Sequence, residues 1–69
     1  MIGKNIRKYR ETAGISQESL ATSAKLHSNY ISLLERGGAN VSAESIERIA
    51  KALKIAPHLL LIPESYKGD

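Results

Sequence analysis

The segment that most constrains the fold is residues 16–37, where two short stretches with helical spacing are separated by a polar break. Ser16 is placed to cap the first helix, and Gly37 is placed to end the second. The apolar residues at helical spacing are Leu20, Ala21, Ala24, Leu26, Ile31 and Leu34. The pattern predicts two helices joined by a tight turn, each with one buried face. The side chains left pointing outward are those of Ser28, Asn29, Ser32 and Leu33.

The rest of the chain is also predicted to be helical. Gly14 is placed to end a first helix whose apolar stripe includes Ile2, Ile6 and Tyr9. The five expected helices span about residues 2–13, 17–24, 28–36, 43–53 and 57–62. Valine occurs once, phenylalanine and tryptophan are absent, and no apolar run alternates, so no strand is predicted. The expected fold class is an all-α domain of five helices.

Length and composition limit the organisation and the cofactors. A chain of 69 residues forms one domain at most, predicted to span residues 1–63 and to be followed by a flexible tail over residues 64–69. Because cysteine is absent, disulfides and thiolate metal sites are excluded, and a reducing cytoplasm is the expected location. His27 and His58 are too few to suggest a metal site, and we expect no cofactor. No apolar run approaches the roughly 18 residues of a membrane span, so no membrane partner is expected.

The charge distribution favours an anionic partner without proving one. The formal net charge is +3, and the first ten residues carry Lys4, Arg7, Lys8 and Arg10. Acidic residues are scattered singly along the rest of the chain. A mildly basic balance of this kind suits a nucleic-acid partner but is common among other proteins.

The order and spacing of these residues resemble the phage-repressor type of helix-turn-helix, the Cro/repressor or XRE family. The resemblance covers about residues 2–62 and depends on Ile6 and Arg10, the run from Gly14 to Ala21, the run from Tyr30 to Gly37, and residues 46–53. It places the helix-turn-helix motif at about residues 17–36. The sequence of the second run is most similar to stand-alone regulators, including controller proteins of restriction–modification systems, and antitoxins and short phage regulators are similar too.

The resemblance implies that the second helix of the motif enters the major groove of double-stranded DNA. Ser28, Asn29, Ser32 and Leu33 match the groove-facing positions, and the amide of Asn29 suits bidentate pairing with adenine. For the serines, helix capping and plain solvated surface are the alternatives. No Gln, Arg or Lys lies between residues 28 and 33, so DNA shape is expected to contribute to specificity.

The resemblance also implies contacts with the DNA backbone. Gln17 lies at the first turn of a helix, where the helix dipole favours a phosphate. Arg36, Asn40 and Ser42 follow the groove-facing helix and are expected to reach phosphates too. The alternatives are a solvated helix former for Gln17 and a plain turn role for Asn40.

Two further groups of residues have expected structural roles. Arg10 and Glu35 match the family's buried ion pair, which would fix the angle of the groove-facing helix; the alternative is two unrelated surface charges. The run from Leu59 to Ile62 has more apolar residues than one short helix can bury against a single core. We expect Leu59 and Ile62 to form a homodimer interface, and a fully buried C-terminal turn is the alternative.

The predicted function is therefore a sequence-specific regulator of transcription that binds a (pseudo)palindromic operator as a homodimer and represses, activates or does both. The alternative is an antitoxin-type module that neutralises a partner and autoregulates its operon. A protein partner, such as a toxin or RNA polymerase, stays open. An enzyme is not expected, because the sequence has no thiol nucleophile, no phosphate-binding glycine-rich loop and no cluster of histidines with carboxylates.

Overall fold

The computed structural model describes residues 2–62, which fold into four α-helices and one short 3-10 helix, with no strand among them. The helices are α1 (Ile2–Thr12), α2 (Gln17–Ala24), α3 (Ser28–Glu35) and α4 (Ala43–Leu53), followed by the 3-10 helix Pro57–Leu60. The all-α prediction is confirmed. The tail over residues 64–69 and the domain end at residue 63 lie outside the described residues.

The expected fifth helix is wrong in type and length. Residues 57–60 form a single 3-10 turn, in which the N–H of Leu59 bonds to the carbonyl of Ala56 and that of Leu61 to the carbonyl of His58. Pro57 begins this turn with its fixed φ angle. An α-helix of so few residues gains too few hydrogen bonds to offset its nucleation, so the tighter turn forms instead.

Every helical element contributes one large, fully buried aliphatic side chain to a single core. These side chains are Ile6, Leu20, Ile31, Ile49 and Leu60. Burying a side chain of this size contributes about 1.5–3 kcal/mol, so each element is held mainly by its own apolar anchor. The C-terminal turn is therefore part of the folded domain and not an appendage.

Asn5 attaches the C-terminal turn to α1 by hydrogen bonds. Its side-chain amide is buried and donates to the carbonyl of Leu60 at 2.8 Å and to the carbonyl of Ile62 at 2.6 Å. Both amide hydrogens are thereby paired, which a buried polar group requires. The bonds fix the direction in which the chain leaves the 3-10 helix.

All four α-helices of the described residues end in the same hydrogen-bonding motif. Just after each helix comes a residue with a left-handed backbone conformation (positive φ), whose N–H bonds to the carbonyl three residues earlier. The N–H of the following residue bonds to the carbonyl five residues before that residue. The left-handed residue is Gly14 after α1 and Gly37 after α3. After α2 and α4 it is a lysine, Lys25 with a φ of 59° and Lys54 with a φ of 61°.

No helix within residues 2–62 is long and apolar enough to cross a membrane.

Candidate nucleic-acid interface

The outward side of α3 carries the four side chains predicted to face a DNA groove. Ile31 and Leu34 on the opposite side are buried in the core, which fixes the rotation of the helix. Asn29 is exposed, and Leu33 is 38% exposed although it is apolar. Ser28 and Ser32 are half-buried beside them. Within residues 2–62 no hydrogen bond engages the side chain of Asn29, so its amide is available to a ligand.

The first turn of α3 has no side-chain cap. Its N-cap residue, His27, has an extended backbone with φ −79° and ψ 140°, but its side chain makes no capping hydrogen bond. By contrast, the hydroxyl of Ser16 accepts the N–H of Ser19 at 3.0 Å at the start of α2. The start of α3 therefore presents backbone N–H groups that no side chain of the described residues satisfies.

The C-terminal end of α3 is held by a buried polar network of Arg10, Glu35, Gln17 and the carbonyl of Ile15. Arg10 and Glu35 form a two-pronged ion pair, with Nε to Oε2 at 2.7 Å and Nη2 to Oε1 at 3.2 Å. The Nη1 group of Arg10 also donates to the carbonyl of Ile15 at 2.8 Å. The Arg10 and Glu35 side chains are 12% and 3% exposed. The structure thus brings together the two residues expected to form a structural pair.

Hydrogen bonding to Glu35 raises the pKa of the Arg10 guanidinium above its ordinary value, although burial acts in the opposite direction. The pairing with Glu35 therefore favours the charged form of Arg10. The pair is charge-balanced and bidentate, which is the geometry in which a buried ion pair is best compensated.

Gln17 belongs to this network, which the sequence did not indicate. Its Nε2 donates to Oε1 of Glu35 at 2.9 Å, so the first residue of α2 is attached to the last residue of α3. A phosphate accepts hydrogen bonds, and Gln17 retains one amide hydrogen and its backbone N–H for such a contact. The bond to Glu35 orients the amide before any ligand arrives.

Gly3 permits α1 to approach the same end of α3 closely, and it was also missed from the sequence. A Cβ atom at Gly3 would overlap the carbonyl oxygen of Leu34 and would lie 3.0 Å from the carbonyl oxygen of Glu35. Backbone atoms cannot move aside as a flexible side chain can. A glycine inside an apolar helix stripe is the signal that could have revealed this contact.

The other predicted phosphate contacts surround the end of α3. Arg36 is exposed, and its Nε lies 3.4 Å from the carbonyl of Ser32. Asn40 has an exposed side chain, and its carbonyl accepts the hydroxyl of Tyr30 at 3.4 Å. The hydroxyl of Ser42 caps α4 by accepting the N–H of Ser45 at 3.1 Å, and it also donates to Oγ of Ser45 at 3.0 Å.

The C-terminal apolar run is divided between core and surface. Leu60 is fully buried, Leu59 and Ile62 are half-buried, and Leu61 is 48% exposed. Leu59 and Ile62 are the residues predicted to form the dimer interface, and Leu61, which is the most exposed of the four, is not among them. Asn5 is also absent from the predicted residues, although its spacing from Ile2 and Tyr9 places a polar side chain among the apolar residues of α1.

Comparison with known proteins agrees with this geometry. The helix-turn-helix family model matches residues 6–60. The chain belongs to the helix-turn-helix family of the Cro/repressor type. The resemblance stated from the sequence is confirmed.

Three relatives are similar over most of their length. The control protein C.BamHI of Bacillus amyloliquefaciens is 45% identical over 62 residues, which cover 88% of this chain and 76% of the relative. The crystal structure of the restriction–modification controller protein C.AhdI of Aeromonas hydrophila is 41% identical with a TM-score of 0.84, covering 86% of this chain and 89% of that one.

The third relative is the regulator SinR. The N-terminal DNA-binding domain of SinR from Bacillus subtilis is 33% identical with a TM-score of 0.88, covering 96% of this chain and 97% of that one. A crystal structure of SinR, the master regulator for biofilm formation, in complex with DNA matches with 35% identity and a TM-score of 0.86 over 90% of this chain and 100% of that one.

Proposed function

We propose that the chain is a sequence-specific, double-stranded DNA-binding regulator of transcription that acts as a homodimer on a (pseudo)palindromic operator. The observation that carries the proposal is the outward face of α3, where an unengaged Asn29 amide projects from a helix held rigidly at its other end. Support comes from the fold shared with SinR, whose structure is known in complex with DNA.

In this proposal the first two turns of α3 read bases in the major groove. Asn29 donates to and accepts from the edge of an adenine, and Ser28 and Ser32 offer hydroxyls to bases or phosphates. Leu33 offers a partly exposed apolar surface to a thymine methyl. With one bidentate reader per subunit, the remaining discrimination comes from the sequence-dependent shape of the DNA.

Phosphate contacts then set the position of α3 in the groove. Gln17 donates from the start of α2, and the exposed guanidinium of Arg36 meets a phosphate beyond the end of α3. Asn40 donates from the following loop. At Ser42 the hydroxyl is already used within the cap of α4, so a phosphate is met there by the backbone N–H groups of the helix start.

The second subunit is proposed to pack on the C-terminal turn through Leu59 and Ile62, with Leu61 as the exposed centre of the contact. Asn5 holds this turn in place from within the same subunit. A two-fold dimer presents its two α3 helices to half-sites about 34–36 Å apart, one turn of the duplex. A small domain also gains stability when the partner covers such apolar residues.

Of the regulatory systems considered, that of a cytoplasmic restriction–modification controller is favoured over that of an antitoxin. Two of the relatives described above are named as control or controller proteins, and none of the three is named as an antitoxin. The proposed role is regulation by operator occupancy, without catalysis.

Selection of bound fragments from a random duplex pool tests the proposal. We expect enrichment of an inverted repeat with half-site centres about 34–36 Å apart. Asn29→Ala should relax the preference at one position in each half-site, whereas Thr12→Ala, at an exposed position on α1, should enrich the same repeat as the parent protein. Failure to enrich any sequence above the input pool would contradict sequence-specific binding.

A further inference from the structure

A basic groove lies between the C-terminal halves of α2 and α4. Its volume is about 610 Å³, and Ala24 and Ala52 contribute small apolar side chains to its lining. The charged residues that line it are Lys25, Arg48, Lys51 and Lys54. We name this feature the lysine groove.

The positive charge of the lysine groove is only partly neutralised. Arg48 bonds to Oε2 of Glu44 at 2.7 Å and lies 3.4 Å from the carbonyl of Lys25, so it has partners within the fold. The three lysines differ from it, because no ion pair or hydrogen bond within residues 2–62 engages the ammonium group of any of them. Three adjacent uncompensated cations repel one another and attract an anionic ligand.

Two of these lysines occupy backbone positions that favour glycine. Lys25 and Lys54 both have a positive φ, in the same helix-ending motif where α1 and α3 have Gly14 and Gly37. A side chain raises the energy of the left-handed conformation, and glycine avoids this cost. The helix dipole does not require a charge at Lys54, because Lys51 already lies in the last turn of α4. At the end of α2 the dipole does favour Lys25, because the last turn of that helix has no basic residue, so folding leaves the lysine at position 54 unexplained.

The lysine groove lies at the opposite ends of α2 and α4 from two of the four residues proposed to contact phosphates. These two residues, Gln17 and Ser42, lie at the N-terminal ends of α2 and α4, whereas the groove is lined by the C-terminal ends. At 1.5 Å per residue those ends are about 12 Å apart along α2 and about 16 Å apart along α4. At the Lys25 end, the groove borders the start of α3, because Ser28 is only three residues further along the chain.

We propose that the lysine groove docks an acidic segment of a second protein. An open concave surface of this kind accepts a single peptide chain, whose carboxylates pair with the lysines while its aliphatic parts contact the half-buried Ala52. A DNA duplex is a wide convex rod that meets only the rim of such a groove. A single nucleic-acid strand binds chiefly by stacking its bases on aromatic side chains, and none of the described residues that line this groove is aromatic.

Nuclear magnetic resonance with a synthetic acidic peptide tests the proposal directly. The probe is a twelve-residue peptide of alternating Glu and Ala, titrated at low salt into the full chain labelled with ¹⁵N. We expect amide shifts concentrated at residues 23–25 and 48–54. The double variant Lys25→Gly/Lys54→Gly removes two charges and suits the left-handed backbone, so the fold is kept, and its peptide affinity should fall about five- to tenfold.

The matched control is Lys4→Gln/Lys8→Gln, which removes the same net charge from the exposed face of α1. Its peptide affinity should fall by less than twofold. An equal loss in both double variants would overturn the proposal, because net charge alone would then explain binding. Shifts spread evenly over the surface would overturn it too.

A twelve-base-pair duplex of random sequence is titrated in parallel. Stronger shifts at the lysine groove with this duplex than with the peptide would assign the groove to DNA and overturn the proposal. Because the peptide titration contains no DNA, its outcome is independent of whether α3 reads an operator.

Discussion

The two ends of α3 differ in how the rest of the protein holds them. At the C-terminal end, Glu35 is bonded to α1 through Arg10 and to α2 through Gln17, and the backbone of α1 at Gly3 packs directly on the carbonyl of Leu34. At the N-terminal end, His27 provides no side-chain cap and Asn29 has no partner within the described residues.

This difference separates what orients the helix from what is available to a ligand. Polar groups that are paired inside the protein fix geometry but have little left to offer a partner. Unpaired groups at the start of α3 can bind, yet they would be poorly placed if the opposite end were free to move. An eight-residue helix is too short to be stable alone, so this external attachment sets its direction.

Breaking the buried ion pair should have the largest effect. Arg10→Ala leaves the carboxylate of Glu35, whose side chain is 3% exposed, with the amide of Gln17 as its one remaining partner within residues 2–62. We expect the free energy of unfolding to fall by about 3–5 kcal/mol, measured by urea denaturation. Glu35→Ala should cost less, because the Arg10 side chain is more exposed and keeps its bond to the carbonyl of Ile15.

The control is the exposed pair of Arg7 and Glu11, whose side chains are 64% and 56% exposed and whose closest atoms are 3.0 Å apart. Arg7→Ala should lower stability by no more than about 0.5 kcal/mol, as for other exposed pairs one helical turn apart. A double-mutant cycle of Arg10 and Glu35 with no coupling energy would show that the pair does not hold α3.

Gly3→Ala should destabilise the same end by a different route. The added methyl group would overlap the carbonyl oxygen of Leu34, so α1 and α3 must move apart. Overpacking of this kind costs about 1–3 kcal/mol, which exceeds the gain of about 1 kcal/mol from the higher helix propensity of alanine. Thermal unfolding followed by circular dichroism measures the net loss.

Gly38→Ala is the matched control for this substitution. A Cβ atom there would lie 3.3 Å from Cδ2 of Leu33, at the flexible end of an exposed side chain that can move away. Its melting temperature should therefore stay close to that of the parent protein. If both alanine variants had the same melting temperature, the close approach of α1 to α3 would not determine stability at this position.

Much of this arrangement could be predicted from the sequence, because it depends on local signals. The bounds of α2 were predicted as the structure has them, since a serine cap, an apolar stripe and a short length agree there. The remaining α-helices were predicted to within one residue. The sequence predicts an α-helix where the structure has a 3-10 turn, because Pro57 begins both kinds of helix equally well.

The contacts that the sequence did not predict are those that join distant segments. Asn5 and Leu60 are 55 positions apart, and Gln17 and Glu35 are 18 positions apart. Hydrogen bonds of this kind depend on how the helices cross, which periodicity does not determine. Residues were assigned to the expected base-reading face from a family pattern, and the structure adds only their exposure.

Asn29→Ala should act at the open end of α3 without altering the fold. Because no hydrogen bond within residues 2–62 engages the Asn29 side chain, we expect the free energy of unfolding to change by less than about 0.5 kcal/mol. Binding to the preferred duplex should weaken by about 1–3 kcal/mol, measured by fluorescence anisotropy. Equal weakening on preferred and random duplexes would instead make Asn29 a backbone contact.

Adding a side-chain cap to α3 should have the smallest effect, and it tests the N-terminal end of the helix directly. His27 already has the extended backbone of an N-cap, so His27→Ser places a hydroxyl where it can accept an N–H from the first turn. We expect the free energy of unfolding, measured by urea denaturation, to rise by about 1 kcal/mol.

Ser16→Ala provides the reference, because it removes the corresponding bond to Ser19 at the start of α2 and should lower stability by about the same amount. α2 and α3 have eight residues each, so the two changes are compared on helices of equal length. A gain in His27→Ser that matches the loss in Ser16→Ala would show that the start of α3 lacks nothing but a cap. No gain would mean that its N–H groups are already well solvated, and the open end would then reflect exposure alone and not a missing interaction.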